Sequence, residues 1–205
     1  MGREIEIKIP LTDSEFDDIY DFIQQKKKYG GISIKTEGKE ISRPQFFLKK
    51  DEYYSKYETE TLRRKNQEPP VIRIRTENAG GAEKSYFTIK RKAIEDGIEV
   101  NKEDETFIQD ANVLRNFFEL AGYKRWFYKE KKACGVYCSF EHFLYVTFHL
   151  ELEIVNNLKY VEIEVTDTAC SSRDVKQSLN DFVKALNLDP QKKDTRSWVA
   201  LLTEC

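Results

Sequence analysis

Apolar and polar residues alternate one by one over much of this chain, the period of a strand with two unlike faces. Residues 3–9 (REIEIKI) alternate strictly and predict a first strand. A helix follows, capped by Thr12 or Asp13, with Phe16, Ile19, Tyr20 and Ile23 as its apolar stripe. It fades in the basic run Lys26–Lys28 and ends at Gly30-Gly31. Residues 45–54 (QFFLKKDEYY) predict a strand, and 55–70 are polar enough for a mobile loop or an exposed helix. Pro69-Pro70 opens a short strand at 71–75 (VIRIR), a turn at 78–83 holds Gly80-Gly81, and 85–92 (SYFTIKRK) is again a strand. Asp96-Gly97 is a hairpin signal leading into a strand at 98–108. A helix over 110–121 carries Leu114, Phe117, Phe118 and Ala121 on one face and stops at Gly122. Strands are expected at 126–138, 144–155 and 159–165, the last two joined at Asn156-Asn157. A long helix over 172–187 aligns Val175, Leu179, Phe182, Val183 and Leu186, and a short helix at 195–203 follows. No composition break divides the chain, so residues 1–205 read as a single domain.

The polar face of these strands is unusual. Glu4, Glu6 and Lys8 share one face of the first strand, with Ile5, Ile7 and Ile9 opposite. The same parity groups Arg73 with Arg75, Thr88 with Lys90 and Lys92, and Asn101 with Glu103 and Glu105. It groups Lys129 with Lys131, Glu151 with Glu153, and Glu162 with Glu164. Any one of these strands fits an ordinary sheet with its polar face in water. Together they do not, because nearly every polar position is ionisable and the signs are sorted by strand. Sorted signs suit an α+β fold built on a closed antiparallel β-barrel, with an apolar outside covered by helices and a charged lumen. Such a lumen must be neutralised by its own pairs, by metal and by ligand. Clustered carboxylates are hard oxygen ligands for Mg²⁺ or Mn²⁺, and clustered Arg and Lys grip phosphate. The ligand implied is a polyanion with bound divalent cation.

Composition changes this picture little. The chain has 205 residues, 40% apolar and 34% charged, with a net charge of −2. Near balance excludes duplex nucleic acid and an anionic membrane surface as main partners, while a homodimer stays open. No apolar run reaches the roughly 18 residues of a spanning helix. The start, MGREIEIKIP, has neither a signal-peptide apolar region nor the Ser/Thr of a myristoylation signal, so a cytoplasmic protein is expected. Cys134, Cys138, Cys170 and Cys205 fit neither a zinc site nor a disulfide framework and read as reduced thiols. The isolated His142 and His149 read as structural. Trp126, on the parity opposite Lys129 and Lys131, reads as packing under a helix rather than as a base-stacking group.

The ordered set of motifs resembles the CYTH family, the triphosphate tunnel metalloenzymes. Glu4-Ile5-Glu6-Ile7-Lys8 matches the ExExK signature, and QFFLKKDEYY, with Asp51 and Tyr53 or Tyr54, resembles the second strand. Arg73 and Arg75 match the paired arginines and Thr88-Ile89-Lys90 the TxK strand. Glu103-Asp104-Glu105-Thr106 resembles the following ExE stretch, and Lys129-Glu130-Lys131 resembles the K-x-K/R strand. Tyr160 to Glu164 matches the closing FvEiE strand, and Ser197-Trp198 with Leu201-Leu202 resembles the C-terminal SY-x-x-LL. Three features depart from the pattern. An Asp and a Leu-Gly pair are replaced by Glu151 or Glu153 and Asn156-Asn157-Leu158, Lys102 stands for an Arg, and 26–44 is longer and more basic.

The resemblance implies an eight-stranded tunnel that binds a triphosphate with Mg²⁺ or Mn²⁺, two ions in all. It implies that Glu4, Glu6, Glu162 and Glu164, with one of Glu151 or Glu153, hold the metals. It assigns the phosphates to Lys8, Arg73, Arg75, Lys90, Lys92, Lys129 and Lys131. Glu105 becomes a further ligand or a group that orients a base, and Glu4, Glu6, Lys8, Lys90 and Glu105 form the catalytic set. The reaction expected is that of a class IV adenylyl cyclase, ATP to cyclic AMP and pyrophosphate. The alternatives are hydrolysis of tripolyphosphate, thiamine triphosphate or a nucleoside triphosphate, and a silent triphosphate-binding protein.

Overall fold

The structure is a computed structural model that describes residues 2–35, 44–66, 70–166 and 172–203. Strand β1 (Gly2–Pro10) pairs on one side with β6 (Ile98–Ile108) and on the other with β9 (Leu158–Thr166). From β6 the sheet continues through β5 (Ala82–Glu95), β4 (Val71–Ala79) and β3 (Phe47–Ser55). From β9 it continues through β8 (Thr147–Val155). The 17-residue β7 (Lys124–Phe140) closes the ring, pairing with β3 along its first half and with β8 along its second. All these pairings are antiparallel, and the result is the expected eight-stranded barrel. A ninth strand, β2 (Ile32–Ile34), adds to the free edge of β7 at Cys138–Phe140. It was not expected, because three residues carry too little alternation to be read.

Tight turns set the register of the hairpins. Asp96 and Gly97 have φ of 54° and 71°, and Gly80 and Gly81 have 61° and 85°. Consecutive positive φ values are the two-residue geometry that follows strand twist, and glycine adopts it without steric cost. The arms β4, β5 and β7 run longer than their alternation suggested. Residues 144–146 precede β8 instead of joining it, because a short 3₁₀ turn occupies Glu141–Phe143.

The apolar faces point outward, into packing with helices. Ile5, Ile7 and Ile9 are at most 3% exposed, and each such burial contributes roughly 1.5–3 kcal/mol. They share a cluster with Phe16, Ile19 and Ile23 of α1 (Asp13–Ile23) and with Val175, Leu179, Phe182 and Val183 of α4 (Ser172–Ala185). Phe148 of β8 stacks on Phe182 at 4.3 Å. The Thr12 hydroxyl caps α1, and Glu15 closes the capping box. A second cluster lies under α3 (Ala111–Leu120), where Phe118 stacks on Tyr54 at 4.6 Å. Ala111, Leu114 and Phe118 form the stripe that α3 buries, and Phe117, about 100° around the helix, is exposed. Of the polar 55–70 segment, Glu60–Lys65 form helix α2. Among the described residues no helix is long and apolar enough to cross a membrane. Cys134 and Cys138 are buried free thiols, whereas Cys170, Cys205 and residues 36–43 of the basic 26–44 segment lie outside the described residues.

Candidate active site

The inward faces enclose a cavity of about 890 Å³ lined almost wholly by charged and aromatic side chains. Glu4, Glu6, Lys8, Arg73, Arg75, Lys90, Lys92, Glu105, Lys129, Lys131, Glu151, Glu162 and Glu164 all line it, as their strand parity predicts. Glu153 does not. It lies fully buried on the same inward face but deeper, paired with Lys131, which leaves Glu151 as the β8 carboxylate that faces the cavity.

The acids gather where β1 meets its neighbours. Glu6 stands opposite Glu164 on β9 and Glu99 on β6, and Lys8 stands opposite Glu162. One carboxylate oxygen each from Glu4, Glu6 and Glu164 lie within 4.8 Å of one another. Lys90 stands beside them, 2.7 Å from Glu103, 3.5 Å from Glu6 and 3.8 Å from Glu4. Burial would lower the Lys90 ammonium, but Glu6, Glu103 and Glu4 outweigh it and raise it above the usual lysine range. One lysine cannot neutralise them all. Burial pushes the Glu4 carboxyl up to about 8 against the pull of Lys90, with Glu103, Glu164 and Glu6 adding to the rise. Burial and Glu6 likewise push Glu99 up to about 7. Three clustered hard oxygen donors with surplus negative charge fit Mg²⁺ or Mn²⁺.

The bases gather on β3, β4 and β7. Asp51 lies fully buried among them, accepting from Arg75 Nε at 2.7 Å and Nη2 at 3.1 Å, with Lys129 at 3.2 Å. The Arg75 fork is thus committed to Asp51. Arg73 is held more loosely, donating to Thr88 at 3.1 Å and to Glu105 at 3.5 Å. Its buried Nε has no partner among the described residues, an orphan donor that an anion would satisfy. Glu105 also accepts from Thr88 at 2.7 Å, so it orients the arginine and stands apart from the Glu4–Glu6–Glu164 cluster. Lys49 and Lys131 bracket Glu151 at 2.7 and 3.4 Å. Those two lysines hold Glu151 down to about 2 although burial alone would raise it. Burial pushes Lys131 down to about 7 despite Glu162 and Glu151.

Several cavity residues escaped the sequence. Lys49 shares the parity of Asp51 and Tyr53, a signal that was present. His149, read as isolated, faces the cavity with Nδ1 3.4 Å from Glu164. Gly135 on β7, two residues from His149's register partner Tyr137, makes room for it, since a Cβ there would lie 2.9 Å from His149 Nε2 and 3.1 Å from the Leu150 carbonyl. Trp126 also lines the cavity, while Arg63 of helix α2 covers its ring, in keeping with the packing expected of it. One end is crossed by the segment leading into α5 (Trp198–Thr203). Lys8 donates to the Arg196 carbonyl, Lys92 to the Thr195 carbonyl at 2.9 Å, and Trp198 Nε1 to Glu162 at 3.1 Å.

The carboxylate cluster has a measurable consequence. Raising Glu4 above its unfolded value makes its protonated form part of folded-state stability. That contribution is complete below the unfolded value and is lost as pH rises towards 8. A divalent cation competes with the proton for the same oxygens. Millimolar Mg²⁺ is therefore expected to raise Tm more at about pH 8.5 than at about pH 5.5. Equal shifts at both, or the same difference in Glu4→Gln, would contradict the assignment.

No family model and no curated protein matches the chain. Solved structures do. The PH1819 protein of Pyrococcus horikoshii is 20% identical over 98% of each chain, with a TM-score of 0.68. A provisional adenylate cyclase from Vibrio parahaemolyticus is 15% identical over 98% of this chain and 97% of its own, with a TM-score of 0.65. A provisional adenylyl cyclase from Hippeastrum, described as having a dominant triphosphatase activity, is 14% identical over 100% and 96%, with a TM-score of 0.60. These likenesses show the fold, a closed antiparallel barrel that this chain shares with those proteins.

Proposed function

We propose that this chain is a metal-dependent enzyme of class IV adenylyl cyclase type, converting ATP to cyclic AMP and pyrophosphate inside the barrel. The observation that carries the reading is the Glu4–Glu6–Glu164 cluster sharing one enclosed cavity with Arg73, Lys129 and Lys131. Glu4, Glu6 and Glu164 would hold Mg²⁺ or Mn²⁺, with Glu162 and Glu151 on the adjoining wall. Bound there, the cation supplies charge neutralisation of the phosphates and activation of the attacking oxygen. Arg73 would receive a phosphate on its unpartnered Nε, oriented by Thr88 and Glu105. Lys90 would stand between the acids and the phosphates. Cyclisation forms a bond from the ribose 3′-oxygen to the α-phosphorus, breaks the bond to pyrophosphate, and passes the hydroxyl proton to a carboxylate of the acid wall. It requires the nucleoside in the same enclosure, and about 890 Å³ is ample for a whole nucleotide.

A second reading, hydrolysis of the triphosphate by water, is favoured by the dominant triphosphatase activity described for the Hippeastrum neighbour. The product decides. The protein is to be incubated with ATP, thiamine triphosphate and tripolyphosphate, each with Mg²⁺ and with Mn²⁺. Cyclic AMP with pyrophosphate is expected. Orthophosphate without cyclic AMP, under both metals from neutral to alkaline pH, transfers the assignment to hydrolysis. Absence of every product contradicts both.

A further inference from the structure

The register of β7 against β3 breaks at one place. Phe127 stands opposite Tyr53 and Arg125 opposite Tyr54, so Trp126 between them has no partner. This is a β-bulge, which leaves one residue out of the ladder and re-aims its side chain. Without it, Trp126 would share the outward face of Tyr128 and Glu130, both of which are exposed. With it, the indole lines the cavity.

The surroundings of the indole are flat and cationic. The Arg63 guanidinium lies over it at 4.6 Å, held by Glu60 at 2.9 Å and the Pro70 carbonyl at 3.3 Å. Tyr53 meets it edge-on, with centroids 6.4 Å apart and planes at 69°. Tyr53 in turn stands opposite Arg73 in the β3–β4 register, so the aromatic wall adjoins the arginine with the orphan donor. The cavity's other tryptophan is occupied differently, since Trp198 is bonded to Glu162 and covered by Lys8 and Lys129 at 5.2 and 5.1 Å.

We infer that the bulged Trp126, with Arg63 and Tyr53, is a stacking site for the heteroaromatic ring of an organic triphosphate, so that this chain selects nucleotide-like substrates over inorganic tripolyphosphate. An indole beside a planar delocalised cation favours a flat π-system by stacking and by cation–π attraction. The ring would lie at the Tyr53 end while the phosphates reach Arg73. The inference rests on the tunnel taking a triphosphate, but not on which bond of it is broken.

The test is calorimetric binding of a methylene-bridged, non-hydrolysable ATP analogue and of tripolyphosphate to wild type, Trp126→Ala and Trp126→Phe, with Mg²⁺ present. For the analogue, Trp126→Ala is expected to weaken binding by about tenfold and Trp126→Phe to restore most of it, in keeping with the usual worth of one stacked ring. Tripolyphosphate binding is expected to change by less than about twofold. Equal loss on both ligands shows that Trp126 only shapes the barrel and overturns the inference, as does undiminished analogue binding in Trp126→Ala. Failure of wild type to bind either ligand overturns it together with the tunnel reading. Selective loss in a protein that turns over neither ATP nor tripolyphosphate supports the ring site while removing the proposed reaction.

Discussion

Replacing Glu6 with Gln is expected to reduce turnover by a few hundred-fold without unfolding the protein. Glu6 contributes one of the three clustered oxygens and stands opposite two further carboxylates, Glu164 and Glu99. An amide keeps its shape and its contact with Asn101 Nδ2, 3.1 Å away, only if it presents its oxygen there. It no longer supplies the anionic ligand that a divalent cation needs. Loss of one ligand from such a site removes several kcal/mol of transition-state stabilisation, and each 1.36 kcal/mol is a factor of ten in rate. The fold is expected to survive because the substitution removes a negative charge from a wall that has too many. Lys90 loses one partner at 3.5 Å but keeps Glu103 at 2.7 Å. Turnover is to be measured at limiting Mg²⁺ alongside thermal unfolding of the metal-free protein. Unchanged turnover, or a loss of activity that tracks a loss of fold, would contradict a metal-holding role.

Much of this site was legible because a barrel turns sequence parity directly into inside and outside. Ile5, Ile7 and Ile9 are buried under helices while Glu4, Glu6 and Lys8 line the cavity, with no other information needed than alternation. The same rule placed Arg73, Lys90, Lys129, Glu151 and Glu162. It failed where parity is interrupted or where position along the barrel matters. A bulge moved Trp126 inward, and no residue in KRWFYKEK announces a bulge. Glu151 and Glu153 have the same parity, yet one faces the cavity and the other is buried against Lys131, a difference of depth that alternation does not carry. His149 looked isolated because its partners, Glu164 and Tyr137, come from other strands. Closure of one end by Thr195, Arg196 and Trp198 depends on where the chain goes after α4. Short elements such as β2 gave too few residues for any period to show.

Removing the charge of Asp51 is expected to have the largest effect on stability of any single change in the lumen. Asp51 is fully buried and is the counter-ion of Arg75 and of Lys129, itself 4% exposed. Burial would raise its carboxyl, but Arg75, Lys129 and Arg73 outweigh burial and hold it well below the usual range. Asp51→Ala leaves two cations in the wall without that partner, and breaking a buried pair in this way costs about 3–5 kcal/mol. For a domain of this size that is a fall in Tm of roughly 6–20 °C. The pH dependence has a definite sign. A depressed folded-state value contributes stability above the unfolded value, near 4, and loses it as pH falls further. Wild type should therefore lose this contribution on acidification below about pH 4, and the variant should have none to lose. The freed cations also predict a rescue. Tripolyphosphate, which supplies negative charge to the same wall, should raise Tm more in Asp51→Ala than in wild type. A variant that unfolds within a degree or so of wild type, or that gains less from tripolyphosphate than wild type does, would show that Asp51 is not the counter-ion on which the basic wall depends.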